Sequence, residues 1–249
     1  MNESEYGKLW KFEKTHWWFV ARRRLVRSLI AKCVRASSSK DGSYLDVGCG
    51  TGIVLDEVGS GFKKQVGLDI SQGALGLTTE RVSSPLVCAD ACRLPFADNS
   101  FDLVSCLDVL EHVRDDLDCI RECFRVCKPG GYMVFSAPAL DFLWSEHDEA
   151  IHHLRRYSWR SLRAKLEAGG FQVVKATYAV FTLLVPIMLI RFVAAFRRTR
   201  MEPETALSEI PRWANQILIV LHNVESALSL SIGLPVGTGL VGVVRKEPT

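Results

Sequence analysis

The stretch that decides the fold reads Tyr44-Leu45-Asp46-Val47-Gly48-Cys49-Gly50-Thr51-Gly52. It is a short apolar strand with an acidic residue near its end, followed by three glycines separated by one residue each. Glycine lets the backbone turn tightly and lets a ligand approach without meeting a Cβ atom. Residues 53–58 can begin a helix whose first N–H groups face that ligand. The stretch therefore predicts a strand, a ligand-binding turn and a helix.

The glycine spacing distinguishes two classes of nucleotide cofactor. The dinucleotide fingerprint G-x-G-x-x-G does not fit, because the third glycine comes one residue too early. The pattern D-x-G-x-G-x-G resembles the nucleotide-binding loop of class I S-adenosylmethionine-dependent methyltransferases of the type 11 group. Three later stretches resemble the same family in the same order. Residues 86–104, which contain Ala89-Asp90-Ala91, resemble the family's "GDA…LPF…SFD-V", residues 110–113 resemble its "LEHV", and residues 128–131, which read KPGG, resemble the end of its "LKPGG" turn. Together the four motifs cover about residues 44–138.

The resemblance implies S-adenosyl-L-methionine as the cofactor and S-adenosyl-L-homocysteine as the product. Asp69 ends the second strand, where an acid accepts both ribose hydroxyls in folds of this kind. The family pattern gives Asp90 the adenine amino group, and the backbone N–H of Ala91 a ring nitrogen. The full set expected at the cofactor is Asp46, Gly48, Cys49, Gly50, Gly52, Asp69, Ile70, Asp90, Ala91 and Leu107.

The family resemblance also implies the architecture. We expect a Rossmann-like, doubly wound α/β sheet of seven strands whose last strand is antiparallel and lies between strands five and six. Residues 1–43 would form an N-terminal amphipathic lid segment, with one helix from Trp10 to about residue 34. Its apolar face can cover the cofactor cleft, or its arginines can meet anionic lipid or a substrate phosphate. Residues 44–249 would form the cofactor-binding domain, with an acceptor segment at 138–158 and a hydrophobic helical insertion at 179–235.

Composition narrows the class of protein. The chain has 249 residues, 48% of them hydrophobic and 24% charged, which is typical of a globular domain. A net charge of +3 is too small to indicate nucleic-acid binding. The polar start of the chain lacks a secretory signal pattern, so we expect eight free cysteines and a cytoplasmic location, extending to the inner face of the cell membrane. Cys119, Cys123 and Cys127 are interpreted as buried thiols of one helix, and no metal site is predicted.

The sequence identifies the methyl acceptor less precisely than it identifies the cofactor. "HWWF–RR" near the start and "HH-RRYS" after strand five resemble a bacterial and archaeal subgroup linked to cell-envelope, polysaccharide or lipid pathways. His147 and His112 are the candidate general bases for a hydroxyl acceptor. The alternative for His112 is a structural or cofactor-supporting role. The candidate acceptor-binding residues are Trp18, Arg22, His152, His153, Arg156 and Tyr157. The alternative for Arg156 and Tyr157 is a solvated approach to a helix.

The insertion contains two apolar segments. Residues 178–196 are interrupted by Pro186 and Arg191, and residues 211–231 carry Asn215, His222 and Glu225, so neither segment is a simple membrane span. We expect a helical hairpin that lies on a membrane surface or lines an apolar acceptor pocket. The alternatives are a homodimer interface or a helical cap with its own core.

The predicted function is methyl transfer by SN2 displacement to a small hydrophobic or lipid-linked acceptor, on oxygen in preference to nitrogen or carbon. Two alternatives stay open from the residues alone. One is a cofactor-binding protein with the same fold and no turnover. The other is a nicotinamide-dependent oxidoreductase, which the glycine spacing and the adenine acid disfavour.

Overall fold

The computed structural model describes residues 3–36, 42–189 and 209–248. Its single sheet has seven strands, β1 (Ser43–Val47), β2 (Lys64–Asp69), β3 (Leu86–Cys88), β4 (Phe101–Leu107), β5 (Cys127–Pro138), β6 (Gln172–Ala179) and β7 (Gly239–Arg245). They lie in the order β3-β2-β1-β4-β5-β7-β6. The strands β1 to β5 are parallel, and β7 runs antiparallel between β5 and β6. The expected seven-stranded fold with an antiparallel last strand is confirmed.

Helices cover both faces of this sheet. They are α1 (Glu3–Phe12), α2 (Trp17–Ala36), α3 (Ile53–Gly59), α4 (Gln72–Thr79), α5 (Asp116–Val126), α6 (Glu146–Ala150), α7 (Trp159–Ala168), α8 (residues 184–189) and α9 (Arg212–Ile232). All five residues of β1 are buried, as expected for a central parallel strand with helices on both sides. The carboxyl ends of β1, β2 and β4 meet at one edge of the sheet, where ligands bind in folds of this class.

The three clustered cysteines are buried as predicted, but the prediction that all three belong to one helix is wrong for Cys127. All eight are free, and Cys119, Cys123 and Cys127 are buried. Cys119 and Cys123 lie on the inner face of α5, whereas Cys127 is the first residue of β5. They pack with other apolar side chains, which is the usual role of an unpaired buried thiol.

The N-terminal segment is two helices, so the prediction of one helix from Trp10 onward is wrong. Residues 13–16 separate α1 from α2. The first N–H group of α2, on Trp17, donates to the Asn215 side chain of α9 at 2.8 Å, and the Asn215 amide donates to the Thr15 carbonyl at 2.8 Å. A partner about 200 residues away in sequence thus satisfies backbone groups that a continuous helix would have bonded internally.

The hydrophobic insertion is helical in its described parts. The first apolar segment contributes Tyr178 and Ala179 to β6 and then the helical residues 184–189, while its continuation into residues 190–208 lies outside the described residues. The second segment is α9, which agrees closely with the predicted helix at 211–231. Within the described ranges, no helix is both long enough and apolar enough to cross a lipid bilayer.

Candidate active site

The glycine loop joins β1 to α3 and is held to the end of β2. All three glycines have positive φ, 71° at Gly48, 56° at Gly50 and 77° at Gly52, which is the conformation that favours glycine. A Cβ at Gly48 would collide with Val109, and one at Gly52 would collide with Thr78. A Cβ at Gly50 would meet nothing within 4 Å. Gly48 and Gly52 therefore shape the turn, and Gly50 is the glycine that faces open space.

The acid at the end of β2 lies next to that open space. One carboxylate oxygen of Asp69, Oδ2, accepts from the N–H of Gly50 at 2.9 Å, and Oδ1 accepts from the N–H of Ser71 at 2.9 Å. These two contacts fix the carboxylate beside the loop and leave further lone pairs for ligand hydroxyls. The next side chain, Ile70, is 71% exposed, although it is large and apolar. An exposed apolar side chain beside a fixed acid suits a nucleoside with a flat ring and a diol.

The remaining predicted cofactor residues surround this point at different depths. Asp90 is exposed after β3, and its Oδ1 accepts from the N–H of Cys92 at 2.8 Å, while Ala91 is buried behind it. Leu107 is half-buried at the end of β4, and Cys49 is buried within the loop. Asp46 is buried below the loop, where burial raises its pKa to about 7 and the Ser105 hydroxyl donates to it. Asp46 therefore supports the loop from inside the sheet.

The N-terminal segment is fastened to the glycine loop by a buried carboxylate. Glu13, in the connection between α1 and α2, is 2% exposed. Its Oε2 accepts from the Thr51 hydroxyl at 2.5 Å and its Oε1 from Arg81 of the α4–β3 connection at 2.6 Å. Trp10 of α1 stacks on the Arg81 guanidinium, 4.2 Å from the ring centroid. The connection therefore joins the lid, the cofactor loop and the segment after α4.

Helix α1 also reaches the predicted ribose acid. Tyr6 is buried, and burial, together with the nearby charge of Asp69, raises the pKa of Tyr6 to about 12. Its hydroxyl lies near the side chains of Ser71 and Asp69. The placement of α1 over Asp69 favours the lid interpretation of the N-terminal segment.

A basic side chain from α2 enters the cleft from the same side. Arg22 forms an ion pair with Asp108, and its Nη2 donates to the Ser136 hydroxyl at 3.0 Å. Asp108 follows β4 with φ of 55°, an uncommon backbone conformation for a residue with a side chain. Burial lowers the pKa of Arg22 to about 10, which leaves the guanidinium charged. The predicted Arg22 thus lies at the carboxyl ends of β4 and β5, and its neighbour Trp18 is half-buried on α2.

Two predicted histidines meet beside this arginine. The ring centroids of His112 and His153 are 4.9 Å apart, and Glu111 completes a group whose donor atoms all lie within 4.8 Å of one another. Burial raises the pKa of Glu111 to about 7, and burial together with His153 lowers that of His112 to about 4. His152, with φ of 59°, places its backbone carbonyl 3.3 Å from Nδ1 of His112.

The acceptor segment is held together by a buried carboxylate in α6. Asp148 accepts two hydrogen bonds from Arg156, both at 2.9 Å, and one from Nδ1 of His153 at 2.8 Å. Burial opposes ionisation of Asp148, but these donors outweigh it and hold its pKa well below the usual value. The predicted His147 is half-buried one residue earlier.

The polar atoms of Arg156 and Tyr157 are engaged inside the protein. Besides Asp148, Arg156 donates to the Ala139 carbonyl at 3.1 Å. Tyr157 is buried and donates to the Leu110 carbonyl at 3.0 Å and to Asp116 at 2.7 Å. This geometry favours a role in positioning the acceptor segment over direct contact with an acceptor.

Tyr6, Glu13, Asp108 and Glu111 contribute to this site but are not among the site residues predicted from the sequence. Tyr6 and Glu13 belong to a polar stretch with no motif, and their partners are distant in sequence. Asp108 and Glu111 lie directly beside the predicted residues Leu107 and His112. The ion pair of Asp108 with Arg22 and the burial of Glu111 depend on the folded structure, so a sequence pattern does not carry them.

The sheet order, the glycine loop and the acid after β2 together define a class I methyltransferase fold. Residues 45–135 match the methyltransferase domain family. The chain therefore carries a methyltransferase domain of the S-adenosylmethionine-dependent type, as the motifs predicted.

Curated relatives resemble part of the chain. A malonyl-[acyl-carrier protein] O-methyltransferase of a Marinomonas species is 38% identical over 120 residues, which cover 43% of this chain and 44% of that protein. A ubiquinone biosynthesis O-methyltransferase of Methylococcus capsulatus is 33% identical over 122 residues, covering 45% and 50% of the two chains. These matches span half or less of the relatives' own length.

Solved structures share the fold. A putative methyltransferase from Bacillus halodurans gives a TM-score of 0.57 at 20% identity and covers 89% of this chain and 100% of its own. The [4+2]-cyclase SpnF gives a TM-score of 0.59 at 20% identity and covers 91% and 81%. Since one of these neighbours is named for a different reaction, the fold alone does not show methyl transfer.

Proposed function

We propose that this protein binds S-adenosylmethionine and transfers its methyl group by SN2 displacement to a small, hydrophobic or lipid-linked acceptor. The observation that carries the proposal is the pairing of open space at Gly50 with a fixed carboxylate at Asp69 beneath the lid helix α1. The sulfonium is already activated, so the protein has to align the acceptor with the methyl group and remove a proton where the acceptor carries one.

Each predicted cofactor residue is proposed to contact the part of the cofactor that its exposure allows. Asp69 would accept the ribose hydroxyls, with Ile70 covering the adenine ring. Asp90 would accept the adenine amino group beside the N–H of Ala91. Loop backbone groups from Gly48 to Gly52 would face the methionine end, while Asp46, Cys49 and Leu107 would shape the wall behind it.

The acceptor is proposed from the lid, the acceptor segment and the named relatives. Both curated relatives described above are named as O-methyltransferases, and one is named for the biosynthesis of ubiquinone. Trp18 and Arg22 on α2 would form one wall of the acceptor site, and the segment at 138–158 would form the other. Removal of the acceptor proton by His112 or His147 is part of the proposal.

Helix α9 is amphipathic, but its apolar face points outward, whereas a normal surface helix turns its apolar face toward the protein. Its polar residues face the protein: His222 stacks on Trp17 with ring centroids 4.9 Å apart, and Glu225 accepts from the backbone N–H groups of Phe181 and Thr182 at 2.9 Å each. Its outward face is a stripe of exposed apolar side chains, Trp213, Ile217, Val220, Leu221, Val224, Leu228 and Ile232. The nearby Phe181, Val185, Met188 and Leu189 are exposed as well.

We infer that this apolar stripe lies on a lipid membrane. A helix whose polar side is bonded to its own domain and whose apolar side faces outward is stable when an apolar phase covers that side. The insertion also carries Arg191, Arg197, Arg198, Arg200 and Arg212, which suit anionic lipid headgroups. Such contact would bring the acceptor cleft to a lipid-linked substrate and would place the protein at the inner face of the membrane. A homodimer interface is the competing occupant.

Vesicle flotation distinguishes these occupants. The wild-type chain should float with vesicles of phosphatidylglycerol and phosphatidylcholine, because anionic headgroups attract basic side chains. Ile217→Glu combined with Val224→Glu, at positions 58% and 57% exposed, should reduce bound protein by about tenfold or more while leaving cofactor affinity unchanged. Val174→Glu, at a 54% exposed position on β6, is the matched control and should float like the wild type. If the wild type does not float with vesicles but sediments as a dimer, and the double variant sediments as a monomer, then the stripe is a homodimer interface and does not bind a membrane.

Activity is tested by the formation of S-adenosylhomocysteine in the presence of vesicle-borne quinols and polyprenyl phosphates. His147→Ala and His112→Gln should lower turnover without weakening cofactor binding if either side chain takes the acceptor proton. Cofactor binding without product from any acceptor would favour the non-catalytic alternative. Reduction or oxidation of a nicotinamide would favour the oxidoreductase.

A further inference from the structure

Three side chains of types that can bind metal ions lie close together at the edge of the cleft and take no part in the proposed cofactor contacts. Glu111, His112 and His153 each offer one donor atom, and these atoms lie within 4.8 Å of one another. Nε2 of His153 is 3.8 Å from Oε1 of Glu111. His112 is partly exposed, so the group is open to solvent on one side.

Both imidazoles are oriented by acceptors on their far nitrogen. Nδ1 of His153 is 2.8 Å from the Asp148 carboxylate, and Nδ1 of His112 is 3.3 Å from the His152 carbonyl. An acceptor at Nδ1 holds the proton there and leaves the Nε2 lone pair available. Histidines that bind metals are usually held in this way, by a carboxylate or a backbone carbonyl on the other ring nitrogen.

The third member of the group has an unsatisfied oxygen. Glu111 is 1% exposed, and its Oε2 has no hydrogen-bond partner among the described residues. A buried carboxylate oxygen without a partner carries an energetic penalty that a cation would remove. The neighbouring Arg22 and Arg156 are already paired with Asp108 and Asp148, so their charges are largely compensated.

We propose that Glu111, His112 and His153 bind one divalent transition-metal ion at the carboxyl end of β4. Two imidazole nitrogens and one carboxylate suit zinc, iron(II), manganese(II) or cobalt(II) better than magnesium or calcium, which prefer oxygen ligands. Three protein ligands leave coordination positions for water or for an oxygen of a bound ligand. Ligation uses the His112 lone pair, so a bound ion and a His112 general base exclude each other. The proposal does not depend on methyl transfer.

The chain contains a second group that could compete for the same ion. Cys106, Cys119 and Cys123 also place their donor atoms within 4.8 Å of one another, but all three are fully buried in the apolar core. Buried thiols pack there as small apolar side chains without any cation, and the site has no open side. Cobalt(II) separates the two groups, because thiolate ligands produce intense near-ultraviolet charge-transfer bands and imidazole and carboxylate ligands do not.

The experiment is a cobalt(II) and zinc(II) titration of the full chain after treatment with a chelator, followed by absorption spectroscopy and calorimetry. We expect one ion per chain, visible d–d bands and no thiolate charge transfer. Glu111→Gln and His153→Ala should each weaken binding by about tenfold or more. Cys119→Ser should bind as the wild type does. Circular dichroism and retained S-adenosylmethionine binding verify that each variant is folded, and His112→Asn replaces His153→Ala if the latter does not fold.

Three results would overturn the site. The first is the absence of binding by folded wild-type chain at millimolar metal. The second is loss of binding in Cys119→Ser together with thiolate charge transfer, which would assign the ion to the core. The third is unchanged affinity both in Glu111→Gln and in the histidine variant that folds, His153→Ala or His112→Asn.

Discussion

Substitution of the buried Glu13 tests whether this carboxylate holds the N-terminal lid on the domain. Glu13→Gln keeps the shape of the side chain but removes the charge that faces Arg81, whose own side chain is 4% exposed. Two nitrogens of Arg81, Nε and Nη1, already lack hydrogen-bond partners among the described residues, so the guanidinium depends on Glu13. The variant should therefore leave a buried cation without its partner.

The magnitude follows from the two contacts that Glu13 makes. Hydrogen bonds to charged groups contribute roughly 1.5–3 kcal/mol each, and removing one partner of a buried ion pair costs about 3–5 kcal/mol. Because glutamine keeps one acceptor for Thr51, we expect a loss of about 2–4 kcal/mol in the free energy of unfolding. Part of this loss should appear as local opening of α1, because opening exposes Arg81 to water.

Urea denaturation and hydrogen exchange of α1 measure the two effects. Glu57→Gln is the matched control, since Glu57 pairs with Arg23 at 3.0 Å but has a side chain that is 26% exposed, and it should cost less than about 1 kcal/mol. Adding Arg81→Met to Glu13→Gln should recover stability, because both charges are then gone. A stability loss in Glu13→Gln no larger than that in Glu57→Gln, with unchanged hydrogen exchange of α1, would refute this role of Glu13.

Three further predictions concern the cofactor acid, the glycine loop and acid stability. Asp69→Asn should raise the Kd for S-adenosylmethionine by about tenfold to a hundredfold, because it removes a charge-assisted contact of ~1.5–3 kcal/mol, and equal affinity by calorimetry would refute the assignment. Gly52→Ala should destabilise the fold by roughly 1–3 kcal/mol in thermal denaturation, because φ is 77° and the new methyl would collide with Thr78; an unchanged Tm would contradict this. Burial opposes ionisation of Asp116, but hydrogen bonds from Lys165 and Tyr157 outweigh it and hold its pKa below the usual value. The stability that ionised Asp116 contributes is thus fully present above its unfolded pKa of about 3.9 and is lost as pH falls through the folded value. The difference in stability between wild type and Asp116→Asn should therefore be constant above about pH 5 and narrow as the pH falls below about 4, and an unchanged difference would disprove it.

Local patterns are enough to predict the parallel part of the sheet and the cofactor loop. The strands β1 and β4 are short apolar runs, and the loop requires glycine at positive φ, so each is visible within ten residues of sequence. The position of β7 between β5 and β6 was implied by the family resemblance. In each case the feature depends on neighbours in sequence or on a motif with fixed spacing.

Features that depend on residues far apart in the sequence could not be predicted from local patterns. The break between α1 and α2 requires Asn215, and the burial of Glu13 requires Thr51 and Arg81. Helix α9 carries Asn, His and Glu on one side, and only the structure shows that this side faces the domain. A polar stripe is normally the solvent face of a helix, so the sequence pattern alone leaves the orientation of α9 undetermined.

Calorimetric titration tests most directly whether the cleft binds S-adenosylmethionine. Purified protein should bind S-adenosylmethionine and S-adenosylhomocysteine with micromolar affinity and should not bind NAD. Binding of NAD in preference to both, or the absence of any binding by well-folded protein, would contradict the account.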